Sequence, residues 1–218
     1  MQIELNKLEF GHPNREQLSE IQTETFLDSL FKELSASPPP ANDSNQTRDE
    51  MVLCMEYVHH LEQDQLLKNK YADRYDATFL DFMLQSLVKS GVDENELFEL
   101  MITINKDIVP LLYKLKFHYQ RPRPKQLAPY LNINLFPFSS RSSDSPSYPS
   151  GHAFQSIIYS EVLGNKYPKF YLPLKQLADE ITASRLYMGL HYPSDIEFAQ
   201  YAADLVLNHP DFKKKYKL

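Results

Sequence analysis

The sequence predicts an all-α fold. It holds only 5 glycines in 218 residues, its apolar positions recur at intervals of three and four rather than two, and no segment alternates as a half-buried strand would. A first helix is expected from about Asn14 to Leu34, with Leu18, Ile21, Phe26, Leu30 and Phe31 on its buried side. Ser35 to Gln46 reads as a connector rich in Pro, Asn and Ser. Thr47 and Glu50 have the spacing of a capping box and start a second helix that runs through about Gln65. Another helix ends near Ser90-Gly91, where glycine suits the left-handed C-terminal position. The next begins near Asp93 and reaches about Tyr119, with a bend expected at Pro110. The longest irregular stretch, Arg121 to Pro149, is rich in Pro and Ser, and loops of that length inside compact domains are usually functional or disordered. Three further helices follow: about Ser150 to Leu163, Leu172 to Tyr187, and Pro193 to Leu207. There is no internal repeat, and the predicted architecture is a single-domain helical bundle over residues 1–218.

Bulk composition narrows the function classes. Hydrophobic residues make up 42% and charged residues 24%, as in an ordinary globule. A net charge of -6 argues against a nucleic-acid binder, yet a local cluster of Lys and Arg can still hold a small anion. The opening Met1-Gln2-Ile3-Glu4-Leu5 lacks the basic stretch and apolar run of a secretory signal, and nowhere do 18 apolar residues follow one another. A cytoplasmic protein without a transmembrane segment is the expectation, or a periplasmic one if a leader has been trimmed from the amino terminus. The lone Cys54 excludes an intramolecular disulfide and sits in the apolar run Met51 to Met55, as a small core residue would. Oligomeric state stays open, a homo-oligomer included.

Three motifs carry chemistry. The first, Lys116-Phe117-His118-Tyr119-Gln120-Arg121-Pro122-Arg123-Pro124, sets Lys116 and Arg123 two helical turns apart, on one side if the helix persists. Alone it reads as a basic helix end favoured by the dipole. The second, Ser147-Tyr148-Pro149-Ser150-Gly151-His152, opens a helix whose free N–H groups can meet an anion. Gly151 permits close approach there, and His152 in the first turn is placed to donate a proton. Alone it is a capped helix with Ser150 as N-cap. The third motif runs from Ser184-Arg185 to His191-Tyr192-Pro193-Ser194-Asp195. Gly189 can end one helix, Pro193 can start the next, and His191 is left at the join. Asp195 lies four residues on, within reach of a His191 ring nitrogen, where a carboxylate would fix the tautomer and turn the other nitrogen to attack.

Lys-x6-Arg-Pro, Pro-Ser-Gly-His and Ser-Arg-x5-His-x3-Asp, in this order, resemble the signature of the phosphatidic acid phosphatase type 2 and vanadium haloperoxidase superfamily. Pro38-Pro39-Pro40-Ala41-Asn42-Asp43-Ser44 with Thr47-Arg48, His118-Tyr119, and Leu207-Asn208-His209-Pro210-Asp211-Phe212 resemble one branch, the soluble bacterial class A nonspecific acid phosphatases. The resemblance covers roughly residues 35–214. Those enzymes normally carry an export signal, which is not evident here. The first motif also fits a second register, Lys114 with Arg121-Pro122. Lys116 with Arg123-Pro124 is preferred, because the family often shows Arg-x-Arg-Pro with the later arginine fixed.

The resemblance implies a metal-independent phosphatase that hydrolyses phosphate monoesters through a phosphohistidine. Lys116, Arg123 and Arg185, with the Ser150 hydroxyl and the Gly151 N–H, would hold the phosphoryl oxygens. His191 would attack, Asp195 would stabilise it, and His152 would protonate the leaving alkoxide. No cofactor is implied, and vanadate is expected as an inhibitor. The main alternative is a vanadium-dependent haloperoxidase, with vanadate as cofactor on the same residues; a phosphatase of lipid phosphates or diphosphates is another. The partner expected is a small phosphorylated substrate. Lys125 to Ser147 is expected to line the entrance, where Phe136 and Phe138, with Tyr148 just beyond, hint at apolar or aromatic leaving groups. His59-His60 face different directions on a helix and do not read as a metal pair. His118 is a weaker candidate for the site, and Lys213-Lys214-Lys215 reads as a solvated helix end.

Overall fold

A computed structural model of the chain describes residues 4–76, 78–140 and 142–218. Its regular elements are all helical, and no strand occurs among the described residues. The longer helices are α1 (Arg15–Gln22), α2 (Asn45–Gln63), α3 (Phe79–Lys89), α4 (Glu94–Tyr119), α5 (Gly151–Lys166), α6 (Tyr171–Tyr187), α7 (Pro193–Asn208) and α8 (Pro210–Tyr216).

The centre is occupied by α5, which packs most extensively on α6 and then on α7. Its buried residues go almost all round: Phe154, Ile158, Val162 and Leu163, with small Ser156, Ser160 and Gly164 at four-residue spacing. Such a helix has no polar face to give to solvent and must be enclosed. The small residues let neighbours approach closely, and a Cβ on Gly164 would lie 2.5 Å from the Tyr171 ring. On α7 the facing residues Ala199, Ala202 and Ala203 are small as well. Helix α4 contributes Leu97, Met101, Ile104, Ile108, Leu111 and Leu115, the three-and-four spacing of an amphipathic helix, and runs on through Pro110. A second, smaller apolar cluster joins Met51, Cys54 and Val58 of α2 to Leu127, Ala128, Leu131, Leu135 and Tyr192.

Several expectations hold. Asp93 caps α4, accepting from Glu96 N at 2.8 Å, and Gly91 after α3 is left-handed at φ 93. The starts and ends of α5, α6 and α7 fall within a few residues of those predicted. The first helix does not hold. It ends at Gln22, and the chain re-enters a 3-10 turn, Phe26–Leu30, and a short helix, Phe31–Leu34. The cause is local: the Thr25 hydroxyl accepts from Leu27 N while Asp28 accepts from Thr25 N, so Thr25 caps a new turn instead of continuing the old one. Leu18, expected in the core, is 44% exposed, and Gln17 is buried in its place. Gln17 Nε2 donates to the Asp144 carbonyl, which satisfies its amide there. Helix α2 is capped one turn earlier than expected, by Ser44, whose hydroxyl accepts from Thr47 N. The irregular stretch after Arg121 contains two short pieces, Pro124–Leu127 and a 3-10 turn Ala128–Leu131. Of the terminal lysines, Lys213 and Lys214 are exposed, whereas Lys215 pairs with Asp107 of α4 at 2.7 Å.

Candidate active site

Helix ends place the three motifs together. Helix α4 ends at Tyr119 because Gln120 turns left-handed at φ 53. Lys116 and Arg123 therefore do not share a helix face, as a persisting helix would require; Arg123 lies in the extended link just before Pro124–Leu127. Both side chains are nonetheless buried beside His191. Lys116 Nζ donates to the Pro146 carbonyl at 2.6 Å. Arg123 Nε donates to Ser145 O at 2.9 Å, and its Nη1 donates to Leu190 O at 3.0 Å and to His191 Nε2 at 2.9 Å.

Arg185 stands in the last turn of α6, and the turn after it is closed by Gly189 at φ 68, with Leu190 N donating back to Arg185 O. A Cβ on Gly189 would fall 2.6 Å from Val58 and 3.1 Å from Pro137, so glycine is required there by both space and backbone. Pro193 starts α7 and His191 is held between the two helices. Arg185 Nη1 donates to Asp76 Oδ1 at 3.1 Å, Nη2 reaches Met188 Sδ, and buried Nε has no hydrogen-bond partner. Ser150 caps α5, and its backbone N–H donates to Asp195 O, which ties the start of α5 to the start of α7. A Cβ on Gly151 would make only ordinary contacts, with Leu112 at 3.5 Å and Lys116 at 3.7 Å, so packing alone does not demand a glycine there.

The tautomer of His191 follows from its partners. A guanidinium only donates, so Nε2 accepts from Arg123, and the ring proton sits on Nδ1 facing Asp195 Oδ2 at 3.1 Å. Asp195 Oδ2 also accepts from Tyr192 N at 2.9 Å and from the Ser147 hydroxyl, and Oδ1 accepts from Arg121 at 2.6 Å. Burial alone would raise the Asp195 pKa, but the Arg121 charge and these bonds outweigh it and hold the carboxyl below its usual range. Burial, then the Arg123 charge, brings His191 down to about 3, so its Nε2 lone pair is free over most of the acid range. His152 Nε2 can only donate to its partner, the Asp76 carbonyl at 2.8 Å, and the ring packs on Phe79 at 4.6 Å between centroids. Burial and the Arg185 charge push His152 well below the ordinary histidine value. Lys116 is lowered by burial and by Arg123. Arg123 falls to about 10, chiefly through burial, and Arg185 falls too.

Three buried cations thus press on one another around a neutral imidazole, and an anion among them would relieve that. Phosphate or vanadate binding is therefore expected to take up protons, because His152, held well below the ordinary histidine value by burial and the Arg185 charge, regains one beside a negative charge. Titration calorimetry in two buffers of different ionisation enthalpy measures this. Binding without uptake would mean that His152 does not face the anion.

All eight residues singled out from the sequence thus lie at the facing ends of α4, α5, α6 and α7. The alternative register does not: Lys114 reaches away to both Asp28 carboxylate oxygens at 2.7 Å, and Arg121 lies behind Asp195. His118 is exposed and stands edge-on to Phe31, outside the site. Tyr148 is not at an entrance, since its ring stacks on Phe198 at 4.4 Å and its hydroxyl donates to Ser37 O. Phe136 is 76% exposed. The motifs did not contain Glu50 or Asp76. Asp76 accepts from Arg185, from Ser140 Oγ at 2.6 Å and from Ser142 Oγ at 2.9 Å, contacts across 64 residues or more that no local pattern signals. Among the described residues no three His, Cys, Asp or Glu side chains are grouped as metal ligands, and no helix is long and apolar enough to cross a membrane. A surface cavity of about 730 Å³ lined by Glu161, Gly164, Tyr171 and Lys213 lies apart from these residues.

The model of the PAP2 superfamily matches residues 100–207. No curated protein matches the sequence.

Proposed function

The chain belongs to the PAP2 superfamily, and from that premise we propose that it hydrolyses phosphate monoesters through a phosphohistidine on His191, as an acid phosphatase does. The observation that carries this reading is the buried cluster of Lys116, Arg123 and Arg185 around a histidine whose Nε2 faces Arg123 and whose Nδ1–H is fixed on Asp195. A monoester brings up to two negative charges, and three cations suit the charge that its transition state spreads over the equatorial oxygens. The unpartnered Arg185 Nε is a donor still to be satisfied in that cradle.

The phosphoryl group enters between His191 Nε2 and Arg123, taking over the hydrogen bond that joins them. Nε2 forms the N–P bond as the bond from phosphorus to the leaving oxygen breaks, and His152 gives that oxygen its proton. The His191 Nδ1–H stays on Asp195, which stabilises the positive phospho-imidazole. Water then attacks phosphorus, His152 takes the water proton, and the N–P bond breaks to release phosphate and neutral His191. Lys116, Arg123 and Arg185 supply the charge stabilisation, so turnover is expected to persist with a chelator present. Burial and the Arg123 charge hold His191 below the ordinary histidine range, which keeps its Nε2 unprotonated for attack.

The same cluster would also hold vanadate, whose trigonal-bipyramidal form mimics the transition state. For a phosphatase, vanadate is a competitive inhibitor of ester hydrolysis and the vanadate-loaded protein oxidises bromide with peroxide only slightly. Two assays on one preparation decide the matter. Efficient halogenation beside negligible hydrolysis of a monoester panel would replace this proposal with a haloperoxidase. Preference for diphosphates or phosphatidate in the same panel would correct the substrate class.

A further inference from the structure

Behind the nucleophile lies a buried run of charge. Arg121 is 2% exposed and points away from the anion cradle. Its Nη1 donates to Asp195 Oδ1 at 2.6 Å and to Ser194 Oγ at 2.8 Å, and its Nη2 donates to Glu50 Oε2 at 3.1 Å. Ser194 Oγ donates in turn to Glu50 Oε2 at 2.8 Å, and Gln46 Nε2 donates to Glu50 Oε1 at 3.2 Å. The Tyr192 ring covers the guanidinium at 3.9 Å. Every polar atom of the Glu50 carboxylate is thus engaged, and Arg121 joins two carboxylates that belong to different helices, α2 and α7.

From this geometry we propose that Arg121 and Glu50 are positioning residues for phosphoryl transfer: Arg121 holds one oxygen of Asp195 so that the other is presented to His191 Nδ1–H, and Glu50 holds Arg121. The proposal rests on the reading of His191 as nucleophile. Charge counting shows why both are needed. Asp195 with Arg121 alone sums to zero, which would leave nothing behind the ring to stabilise the positive phospho-imidazole. Glu50 restores one net negative charge on that side, opposite the cations in front. The groups facing the His191–Asp195 pair are Arg123, Lys116 and His152 in front, Arg121, Glu50 and the buried Tyr192 phenol behind, and the neutral donors Ser147, Tyr192 N–H and the Cys54 thiol. Asp144 acts on the two front cations, and Asp76 acts through Arg185.

Opposite charges give opposite signs, which a merely structural role would not. The acid limb of kcat/KM, measured on one ester with the full chain, reports the protonation that disables the His191–Asp195 pair. Glu50→Gln removes a negative charge and should move that limb to lower pH; Arg121→Met removes a positive one and should move it to higher pH, each by about one pH unit. Movement in the same direction, or none, overturns the proposal. Arg121→Met leaves Glu50 and Asp195 buried without their cation and can fail to fold. Arg121→Lys then serves: charge is kept but one ammonium cannot bridge as the guanidinium does, so the limb should stay near that of the parent while kcat falls about tenfold. Unchanged kcat in Arg121→Lys overturns the proposal. The ¹⁵N spectrum of the His191 ring needs no turnover. Arg123 keeps the ring proton on Nδ1 in either protein, so the Nδ1–H resonance is what reports the bond to Asp195: a shift toward the free-imidazole position in Arg121→Lys supports the positioning role, and an unmoved resonance refutes it. A parent without phosphatase activity would sink the functional reading while leaving the spectrum to decide this one.

Discussion

His191→Ala is expected to lower turnover by on the order of 10⁴-fold or more, equivalent to about 5 kcal/mol of barrier, and to remove the covalent intermediate altogether. The size follows from the chemistry: without Nε2 there is no N–P bond, and the remaining cations can only stabilise direct attack by water. The cradle itself should survive the substitution. Arg123 keeps Ser145 O and Leu190 O as acceptors, and Lys116 keeps Pro146 O, so only one of the arginine's bonds is lost. Rapid quenching of the parent with a labelled ester should trap a phosphoenzyme that is stable to base and labile to acid, as a phosphoramidate is. Circular dichroism of the variant serves as the folding check. A folded His191→Ala protein that keeps more than about one hundredth of the parent rate would show that another group attacks phosphorus.

For His152→Ala the expected loss depends on the substrate. General acid catalysis contributes roughly 10² to 10⁴-fold when the leaving oxygen needs a proton, and little when it departs readily as an anion. Alkyl phosphates should therefore lose most of their rate and aryl phosphates bearing electron-withdrawing groups far less. The logarithm of kcat/KM plotted against leaving-group pKa should be steeper for the variant than for the parent. Burial and the Arg185 charge push His152 well below the ordinary histidine value, and its Nε2–H is occupied by the Asp76 carbonyl. The bound ester has to supply the negative charge that lets it take a proton. Equal losses across the series would remove His152 from the general-acid role and leave it a part of the cradle.

Much of this was legible in the sequence where the determinants are local. Asp93, Gly91, Ser150 and Gly189 punctuate helices through bonds or backbone turns within a few positions, Pro193 does so by its fixed φ, and together they placed one end each of α3 to α7. Those helix ends carry His152, Arg185, His191 and Asp195, so the motifs came with their placement. The first helix failed because Thr25 and Asp28 cap each other more favourably than an apolar period can override. Arg123 reached the cradle for a reason the sequence did not show, a left-handed break at Gln120 rather than two turns of helix. The site contacts of Glu50, Ser147 and Asp76 were not legible, although Glu50 stood in the expected capping box and Ser147 opened the second motif, since Glu50 meets Arg121 across 71 residues and Ser147 meets Asp195 across 48. Contacts of that range follow from helix packing and leave no spacing to read.

The thiol of Cys54 donates to the backbone carbonyl of His191 at 3.3 Å, is fully enclosed, and is kept protonated first by that burial and then by the Asp195 and Glu50 charges. As the sequence has no other cysteine, this gives the molecule a native clock on the wall behind His191. A thiol reagent can reach Cys54 only when α2 parts from the turn that carries His191, so the labelling rate counts those openings without any engineered probe. Ligands that tighten the wall slow the clock by the factor in which they favour the closed form. The same enclosure shields the thiol from oxidation for as long as the wall stays shut, so sulfur chemistry at this position records excursions of the backbone and not the redox state of the surroundings.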